Sequence, residues 1–359
     1  MNLFFGITVA PYSVDFCNSL HEELHCRLFH VPRPPFEMAF DVEAAERRCH
    51  FPLERYEKRL GLRPFLSLYR LVKEEKPEWV FVPEFSLTAL RMLLIRKLLH
   101  RRFRIISVCD DSLDMIRGND FSRLHRLARC FVPRWVDDLV LANPDARKWY
   151  RDHFGKGLYM PIVSDEQRLR EEFGHALGRA QELQRAYALQ QRPVVLYVGR
   201  LIPLKNLELM LESCRGIDAT VVFVGDGPLK EKLGEQARSL GISALFVGRK
   251  DGLELAAWYD LADVVVLPSL QEAFGAVTGE ALSAGCPVVV SSRAGSSFLV
   301  TEGKNGSVVD PGDPAALAAA LRLWTGRAPG ARTMELRENL LPVRFKSLFE
   351  TLKEELNHV

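Results

Sequence analysis

The chain has 359 residues, of which 47% are hydrophobic and 26% are charged, and its formal net charge is +2. This length suits two domains, because a domain typically has about 100–200 residues, and the composition excludes a disordered or fibrous protein. The near-neutral charge points to no particular partner, and we expect no nucleic acid to bind.

The cysteines and the N-terminal segment bear on the compartment. The seven cysteines are dispersed, with no C-x-x-C pair and no metal-ligand spacing, which predicts a reducing compartment and no metal site. The N-terminal apolar run lacks the basic region and cleavage site of a secretory signal. No apolar run reaches the roughly 18 residues that cross a bilayer. We therefore expect a cytoplasmic protein, either soluble or peripheral on the inner face of the membrane.

Short β-branched or aromatic runs alternate with longer amphipathic stretches, as in parallel strands joined by crossover helices. The predicted strands of the first half are 3–9, 25–30, 79–82, 104–109 and 138–142, and its clearest helices are 14–24 and 86–100. The predicted strands of the second half are 194–198, 220–224, 244–247, 263–267 and 287–291. This pattern predicts an α/β protein with two Rossmann-like doubly wound domains, whose ligands bind in a cleft at the carboxyl ends of the strands.

The domain boundaries follow from composition. A charged stretch rich in Ala and Gln, without a strand pattern, predicts a linker helix over 166–192 between domains at 1–165 and 193–327. A Gly- and Pro-bearing connection over 325–333 leads to a last helix. We expect this final segment, 328–359, to pack back on the first domain.

The loop after strand 194–198 carries two cations. Gly199 and Arg200 follow the strand, and Lys205 lies where a helix is expected to begin. Cationic side chains and free backbone N–H groups at a helix start suit a diphosphate. The alternative is a solvated basic turn.

Glycines follow the next two strands. Gly225 and Gly227 superficially match a dinucleotide fingerprint, but Lys230 occupies the place of its third glycine. A tight turn before a helix is the alternative there. After the following strand, Gly248 and Arg249 form a place where the backbone could approach a nucleotide base, because glycine lacks a Cβ; a simple turn is again the alternative.

The segment 268–280 has the strongest chemical pattern. Strand 263–267 delivers Glu272 to the cleft edge, and helical character is expected from Phe274 onward. Glu272 and Glu280 are eight residues apart, so both carboxylates could face one side and bind sugar hydroxyls. A solvated helix face is the alternative. The backbone amides of this helix start suit a phosphate, and they belong to Gly275, Ala276 and Val277.

In this order, the motifs resemble the retaining glycosyltransferases of family 4, which have the GT-B fold. The matching pieces are GR-x-x-x-x-K at 199–205, GDGP at 225–228, FVG at 246–248, PS at 268–269, E-x-F-G-x-x-x-x-E at 272–280, AGCPVV at 284–289 and NGSVVDPGD at 305–313. The resemblance covers roughly residues 193–325.

The resemblance implies a donor site in the cleft between two domains, with the nucleotide sugar bound by the second. Arg200 and Lys205 would hold the diphosphate of a UDP- or GDP-sugar, and Glu272 would bind hydroxyls of the transferred sugar; these three are the catalytic candidates. Glu280 would bind the ribose. The family needs no metal or other cofactor, because cationic groups and a helix start stabilise the leaving diphosphate. The remaining donor-binding candidates are Gly199, Gly225, Gly227, Gly248, Arg249, Phe274, Gly275, Ala276 and Val277.

The acceptor would then bind to the first domain. Glu84, Asp110 and Asp111 follow predicted strands, and a carboxylate there could orient an acceptor hydroxyl or stabilise charge on the sugar. The alternative is that Asp111 or Ser112 caps the next segment. Tyr12 lies where many relatives have a Gly-Gly turn. The implied activity is sugar transfer to a glycan or lipid-linked acceptor in cell-surface polysaccharide or glycolipid biosynthesis.

A basic stretch from Ser86 to Arg104 has leucines at near-helical spacing. Such helices bind anionic membrane surfaces, although a crossover helix packed on the sheet has the same pattern. Other interpretations of the whole chain are a catalytically inactive GT-B-like partner-binding protein and a nucleotide-sugar epimerase. An oxidoreductase is disfavoured by the missing glycine fingerprint.

Overall fold

Continuous runs of β-branched and aromatic residues form two separate parallel sheets. The first has seven strands in the order β3-β2-β1-β4-β5-β6-β7, and the second has six in the order β10-β9-β8-β11-β12-β13. The strands of the first sheet are β1 (Asn2–Gly6), β2 (Cys26–His30), β3 (Glu54–Arg55), β4 (Trp79–Pro83), β5 (Arg104–Cys109), β6 (Asp138–Leu141) and β7 (Leu158–Tyr159). Those of the second are β8 (Val194–Val198), β9 (Thr220–Val224), β10 (Ser243–Gly248), β11 (Val264–Leu267), β12 (Val288–Ser291) and β13 (Gly306–Val309).

Each sheet belongs to its own unit. This computed structural model describes residues 1–6, 8–31, 42–56, 61–118, 123–328 and 335–359. Unit 1 comprises residues 1–162 together with 346–359, and unit 2 comprises residues 163–345. The predicted connection over 325–333 lies partly outside the described residues.

Helices cover both sheets. In unit 1 they are α1 (Val14–Leu24), α2 (Val42–Arg47), α3 (Leu62–Glu75), α4 (Leu87–Leu99), α5 (Leu113–Gly118), α6 (Arg123–Trp135) and α7 (Pro144–Phe154). In unit 2 they are α8 (Glu166–Ala186), α9 (Leu207–Ser213), α10 (Lys230–Leu240), α11 (Gly252–Leu261), α12 (Val277–Ser283) and α13 (Pro314–Gly326). The last helix is α14 (Phe345–Asn357), which lies in unit 1 from residue 346 onward.

The strand order explains where a ligand can bind. Both sheets follow the doubly wound order 3-2-1-4-5-6, so the direction of winding reverses between β1 and β4 and between β8 and β11. The register at the second reversal pairs Leu196 of β8 with Val265 of β11. Ligands of such folds bind outside the carboxyl ends of the strands at these points. The predicted pair of Rossmann-like doubly wound domains is confirmed.

Local sequence sets the helix starts. Asn143, Asp165 and Asp313 precede α7, α8 and α13, and each side chain accepts hydrogen bonds from two backbone amides of the first turn. These residues occupy the N-cap position that Asn and Asp favour. The helix predicted over 166–192 is therefore α8, which ends at Ala186 and belongs to unit 2.

The C-terminal helix packs within unit 1. The rings of Phe349 and Phe16 meet edge to face with their centroids 6.1 Å apart. Arg147 Nη2 donates a hydrogen bond to Glu355 Oε1 at 2.9 Å. Residues 346–359 thus complete the core of a unit that begins at the N-terminus of the chain.

Several elements differ from the predicted ones. Strand β1 ends at Gly6, and of the rest of the predicted strand Thr8 and Val9 are not in β1, whereas Ile7 lies outside the described residues. The edge strands β3 and β7 have only two residues each, too few for a recognisable alternation pattern. The four-residue edge strand β13 and helices such as α3 and α7 were also not predicted.

Candidate functional site

The loop that follows β8 is fixed by backbone and side-chain hydrogen bonds. Tyr197 Oη donates to the carbonyl oxygen of Arg200 at 2.9 Å. Asn206 has φ 58°, and its Nδ2 donates to the carbonyl oxygens of Pro268 at 3.2 Å and Pro311 at 2.8 Å. These bonds connect the loop to the segments after β11 and β13. The position of Lys205, directly before Asn206, is therefore set by neighbouring strands.

Lys205 forms an ion pair with Glu272. Its Nζ contacts Glu272 Oε2, and the two side chains are only 13% and 17% exposed. Ser269 Oγ is a weaker partner of the same carboxylate at 3.4 Å. The structure thus brings together a lysine from the β8 loop and a glutamate from the β11 loop, at the reversal point of the second sheet.

Arg200 is placed differently. Its side chain is exposed, and it forms no ion pair with another residue in the described part of the chain. The burial of Tyr197 and the neighbouring Glu272 raise the pKa of the Tyr197 phenol, and the Arg200 charge lowers it in part. Tyr197 therefore remains a neutral hydrogen-bond donor that supports the loop.

Gly275 makes the turn between Glu272 and the following helix. Its φ is 92°, and a Cβ there would lie 2.5 Å from Leu267 Cδ2 and 3.1 Å from Ser296 Oγ. Only glycine suits a position that has a positive φ and also leaves no room for a Cβ. The chain then enters α12 at Val277, with Ala276 at the N-cap, so the helix begins three residues later than expected. The amides of Gly275, Ala276 and Val277 belong to this helix start.

Phe274 does not face solvent. It is buried, and its ring packs edge to face on Phe298 with centroids 6.2 Å apart. The donor-binding candidate Phe274 therefore acts as a packing residue that fixes the turn at Gly275.

Glu280 is held by a buried tyrosine. Tyr259 Oη donates to Glu280 Oε2 at 2.6 Å. Burial and the adjacent Glu280 raise the pKa of Tyr259 well above its ordinary value, so its hydroxyl keeps its proton. Tyr259 was missed from the sequence, because an aromatic residue in an apolar helix gives no signal that separates a core residue from a site residue.

The Gly-Asp-Gly turn after β9 packs on the loop after β8. A Cβ on Gly225 would lie 1.9 Å from the carbonyl oxygen of Gly199, and one on Gly227 would lie 2.5 Å from that of Leu201. Leu201 N donates to the carbonyl oxygen of Asp226 at 2.9 Å. The glycines therefore allow two backbones to approach closely, which shapes the loop that carries Arg200.

Gly248 extends this arrangement to β10. Its carbonyl oxygen accepts a hydrogen bond from Gly225 N at 2.9 Å, and its φ is 72°. Arg249 is exposed, and its Nε lies 3.2 Å from Asp251 Oδ2. The carboxyl ends of β8, β9 and β10 are thus joined by backbone contacts between glycine-bearing loops.

In unit 1, Asp111 is enclosed by the fold. It has no exposed surface, and its carboxylate accepts hydrogen bonds from Arg129 Nε at 2.9 Å, Arg129 Nη2 at 2.6 Å and Tyr150 Oη at 2.6 Å. The next residue, Ser112, is a helix cap, because its Oγ accepts from Met115 N at 3.2 Å. Asp111 therefore joins β5 to α6 and α7, and its oxygens are already occupied.

Among the described carboxyl groups of unit 1, Glu84 has a strongly raised pKa. Burial, together with the nearby Asp111 and Asp110, raises its pKa to about 7. Asp110 N donates to Glu84 Oε2 at 3.0 Å, and His125 Nε2 lies 3.7 Å from Glu84 Oε1. Glu84 can therefore hold or release a proton near neutral pH. Tyr12 is 37% exposed and lies in the turn after β1, at the same end of the sheet.

Glu84, Cys109 and Asp111 offer ligand atoms within 4.8 Å of one another. The Arg129 guanidinium already compensates Asp111. Burial raises the pKa of the Cys109 thiol well above its ordinary value, so the thiolate that binds metals is disfavoured. The cluster is therefore explained by contacts within the protein.

The basic stretch 86–104 comprises the crossover helix α4, the loop after it and the first residue of β5. Ser86 Oγ caps the helix by accepting from Ala89 N at 3.3 Å. Arg91 is buried, and Arg96 Nη1 pairs with Asp137 at 2.5 Å. Arg104 pairs with Glu78 at 3.0 Å. Half of the cationic side chains in this stretch are thus buried in unit 1 or paired with its carboxylates. Within the described residues, no helix has the length and apolar character to span a bilayer.

Comparisons with known proteins show which family region and which fold the chain shares. Residues 180–339, slightly less than half of the chain, match the family described as glycosyl transferases group 1. The D-rhamnosyltransferase WbpZ of Pseudomonas aeruginosa is 35% identical over 246 residues, which are 66% of this chain and 61% of that protein. A GDP-mannose-dependent alpha-(1-6)-phosphatidylinositol monomannoside mannosyltransferase of Mycobacterium tuberculosis is 34% identical over 192 residues, 49% of each chain.

The chain spans between 24% and 61% of the length of the curated relatives that it matches first. The crystal structure of HepE from Anabaena in complex with UDP has a TM-score of 0.77 and 17% identity, and the match covers 100% of both chains. This likeness shows the fold. The chain therefore has the GT-B fold and carries, over residues 180–339, the region of glycosyl transferases group 1.

Proposed function

We propose that this chain is a glycosyltransferase that moves a sugar from a nucleotide-diphosphate sugar to a hydroxyl group of a glycan or lipid-linked acceptor. The nucleotide is UDP or GDP, the anomeric configuration is retained, and neither a metal nor another cofactor is needed. We place the enzyme in the cytoplasm, in cell-surface polysaccharide or glycolipid biosynthesis. All seven cysteines are free thiols, which suits a reducing compartment.

The observation that carries this proposal is the pairing of Lys205 with Glu272 beside the Gly275 turn. A lysine at this point can neutralise the charge that develops on a leaving diphosphate. In the free protein Glu272 holds the ammonium group in place. An arriving diphosphate then competes for Lys205, which leaves the Glu272 carboxylate to accept hydrogen bonds from sugar hydroxyls.

The nucleotide end of the donor is assigned to the neighbouring loops. The Glu280 carboxylate, held by Tyr259, can accept hydrogen bonds from both hydroxyl groups of a ribose. The exposed Arg200 can reach a phosphate because its guanidinium is not engaged by a described carboxylate. With two cations for the diphosphate, the site can stabilise the leaving group as a metal ion would. Support for both bases comes from the comparisons, since HepE binds UDP and the mycobacterial relative is GDP-mannose-dependent.

We assign the acceptor hydroxyl to unit 1 and to Glu84. A carboxyl group with a pKa of about 7 is suited to accept a proton and to orient a hydroxyl at neutral pH. Asp110, exposed beside it, adds negative charge that helps to raise the pKa of the Glu84 carboxyl group.

The test is a thermal-shift screen of the full chain against UDP-, GDP- and ADP-sugars, followed by transfer assays with the donor that binds. Bound donor at about 100 times its Kd should stabilise the native state by about 2.7 kcal/mol. The variant Lys205→Ala should abolish the shift. Lys232→Ala is the matched control, because Lys232 also pairs with a glutamate in unit 2 but on its surface. A thermal shift that persists in Lys205→Ala would exclude this diphosphate site. A product with inverted anomeric configuration would exclude the retaining mechanism.

A further inference from the structure

Two neighbouring helices of unit 1 each expose a line of large apolar side chains. On α4 the exposed leucines are four residues apart, and on α6 a leucine, a phenylalanine and a tryptophan have the same spacing, so each set lies along one face of its helix. The exposed fractions are 39–51% on α4 and 51–66% on α6. The α4–α6 surface consists of Leu90, Leu94, Leu98, Leu127, Phe131 and Trp135.

The two helices lie on the same side of the first sheet. Helix α4 connects β4 to β5, and α6 lies on the connection from β5 to β6, so both crossovers step in the same direction along the sheet. Right-handed crossovers with the same direction place their helices on one face. Arg96 of α4 joins them directly, because its Nη2 donates to the carbonyl oxygen of Trp135 at 2.8 Å.

The opposite sides of both helices already face the core. Met92 and Ile95 of α4 share a buried cluster with Val132 of α6 and Val136 just after it. The exposed leucines and aromatics are therefore additional to the apolar stripe that the fold needs. The rings of Phe131 and Trp135 also contact each other, with centroids 5.8 Å apart.

The two segments that form this surface carry charged side chains of positive sign only. Residues 85–109 and 121–136 contain ten Lys and Arg residues and no Asp or Glu, although the whole chain is nearly neutral. Arg91 and Arg129 are buried, and Arg96 and Arg104 pair with carboxylates. The other six form no ion pair with a described residue: Lys97, Arg101, Arg102, Arg123, Arg126 and Arg134.

We propose that the α4–α6 surface docks on an anionic lipid bilayer. Leucine and phenylalanine side chains enter the boundary between headgroups and acyl chains, tryptophan favours that boundary, and the cations face the negative headgroups. A second copy of this chain fits poorly, because a symmetric contact would oppose six uncompensated cations to six others. A nucleic acid would match the charge but leave the six apolar side chains in water.

Docking of this surface on a membrane does not depend on sugar transfer at the catalytic site. The surface also differs from the membrane site that the sequence predicts. The stretch 86–104 contributes only the exposed face of α4, whereas the larger exposed side chains come from α6.

The test measures binding of the full chain to vesicles made of equal parts phosphatidylglycerol and phosphatidylcholine, at low salt and without any donor. We expect binding at least about tenfold tighter than to phosphatidylcholine vesicles. The double variant Leu127→Glu/Phe131→Glu should weaken it at least about tenfold, because two side chains lose their burial in lipid. Leu323→Glu is the matched control, since Leu323 is an exposed helical leucine in unit 2.

A second variant preserves the apolar side chains. Lys97→Gln/Arg102→Gln/Arg123→Gln removes three exposed charges and should weaken binding about fivefold for each charge, or roughly a hundredfold in all. Unchanged donor-induced thermal shifts in both variants would show that they fold and would separate this test from that of the transfer reaction. The proposal would be overturned if the wild-type protein did not bind anionic vesicles, or if the variants bound them as tightly as the wild type. A wild-type dimer that the double variant abolishes would also overturn it, since the surface would then join two copies.

Discussion

Replacing Lys205 by methionine should destabilise unit 2 even without a donor. The change leaves the Glu272 carboxylate without its cation in a place where only 17% of its side chain reaches water. Removing one partner of a fully buried pair costs about 3–5 kcal/mol. Because both side chains keep some contact with water, we expect about 2–3 kcal/mol for this pair. At about 2–4 °C for each kcal/mol in a unit of this size, the midpoint of thermal unfolding should fall by about 4–12 °C.

The assay is a double-mutant cycle on the unfolding transition of unit 2. It compares Lys205→Met, Glu272→Gln and the double variant, and we expect the double variant to cost less than the sum of the singles by about 1–2 kcal/mol. Lys232→Met is the control, because its surface pair with Glu208 should contribute less than about 1 kcal/mol. Single-variant effects that add within about 0.5 kcal/mol would refute the reasoning, since the two side chains would then act independently.

Three further predictions concern other groups. Tyr259→Phe removes the hydrogen bond to the Glu280 carboxylate and should raise the Kd of the donor about tenfold or more in titration calorimetry, while a Kd equal to that of wild type would exclude Tyr259 as a positioning residue. Gly225→Ala places a Cβ 1.9 Å from a backbone oxygen and should lower stability by more than about 3 kcal/mol in denaturant melts, whereas Gly241→Ala, with no neighbour within 4 Å, should cost only about 1 kcal/mol for its positive φ; equal losses would contradict this. The pKa of Glu84 rises from its ordinary value of 4.5 to about 7 on folding, so the folded state binds more protons between these values and stability should fall by up to about 3 kcal/mol as pH rises through this window. Glu84→Gln should flatten that pH dependence in melts from pH 4 to 8, and an unchanged slope would assign it to another group.

The second sheet was largely predictable from the sequence. Strands 194–198 and 220–224 were predicted with the bounds that the structure has, because a strand buried on both faces is a continuous run of valine, leucine and aromatic residues. The loops that follow these strands could be placed for the same reason. The order of the motifs along the chain, each directly after a predicted strand, then indicated which loops carry the candidate donor site.

Burial and pairing of polar groups could not be predicted. Asp111 looked like Asp110 in the sequence, but Arg129, 18 residues later, and Tyr150 enclose only Asp111. Tyr259, which donates a hydrogen bond to Glu280, lies 21 residues earlier. Such pairings depend on how helices pack across a sheet, and no local pattern records that.

The assignment of residues 346–359 to unit 1 affects how the protein is made. Unit 2 is one continuous segment, 163–345, whereas unit 1 consists of two pieces of chain separated by all of unit 2. On the ribosome unit 2 can therefore finish folding first, although its residues are synthesised after most of unit 1. Until Phe349 is translated, the Phe16 ring has only one of its two aromatic neighbours, Phe4. The core of unit 1 can therefore be completed only after all of unit 2 has been translated.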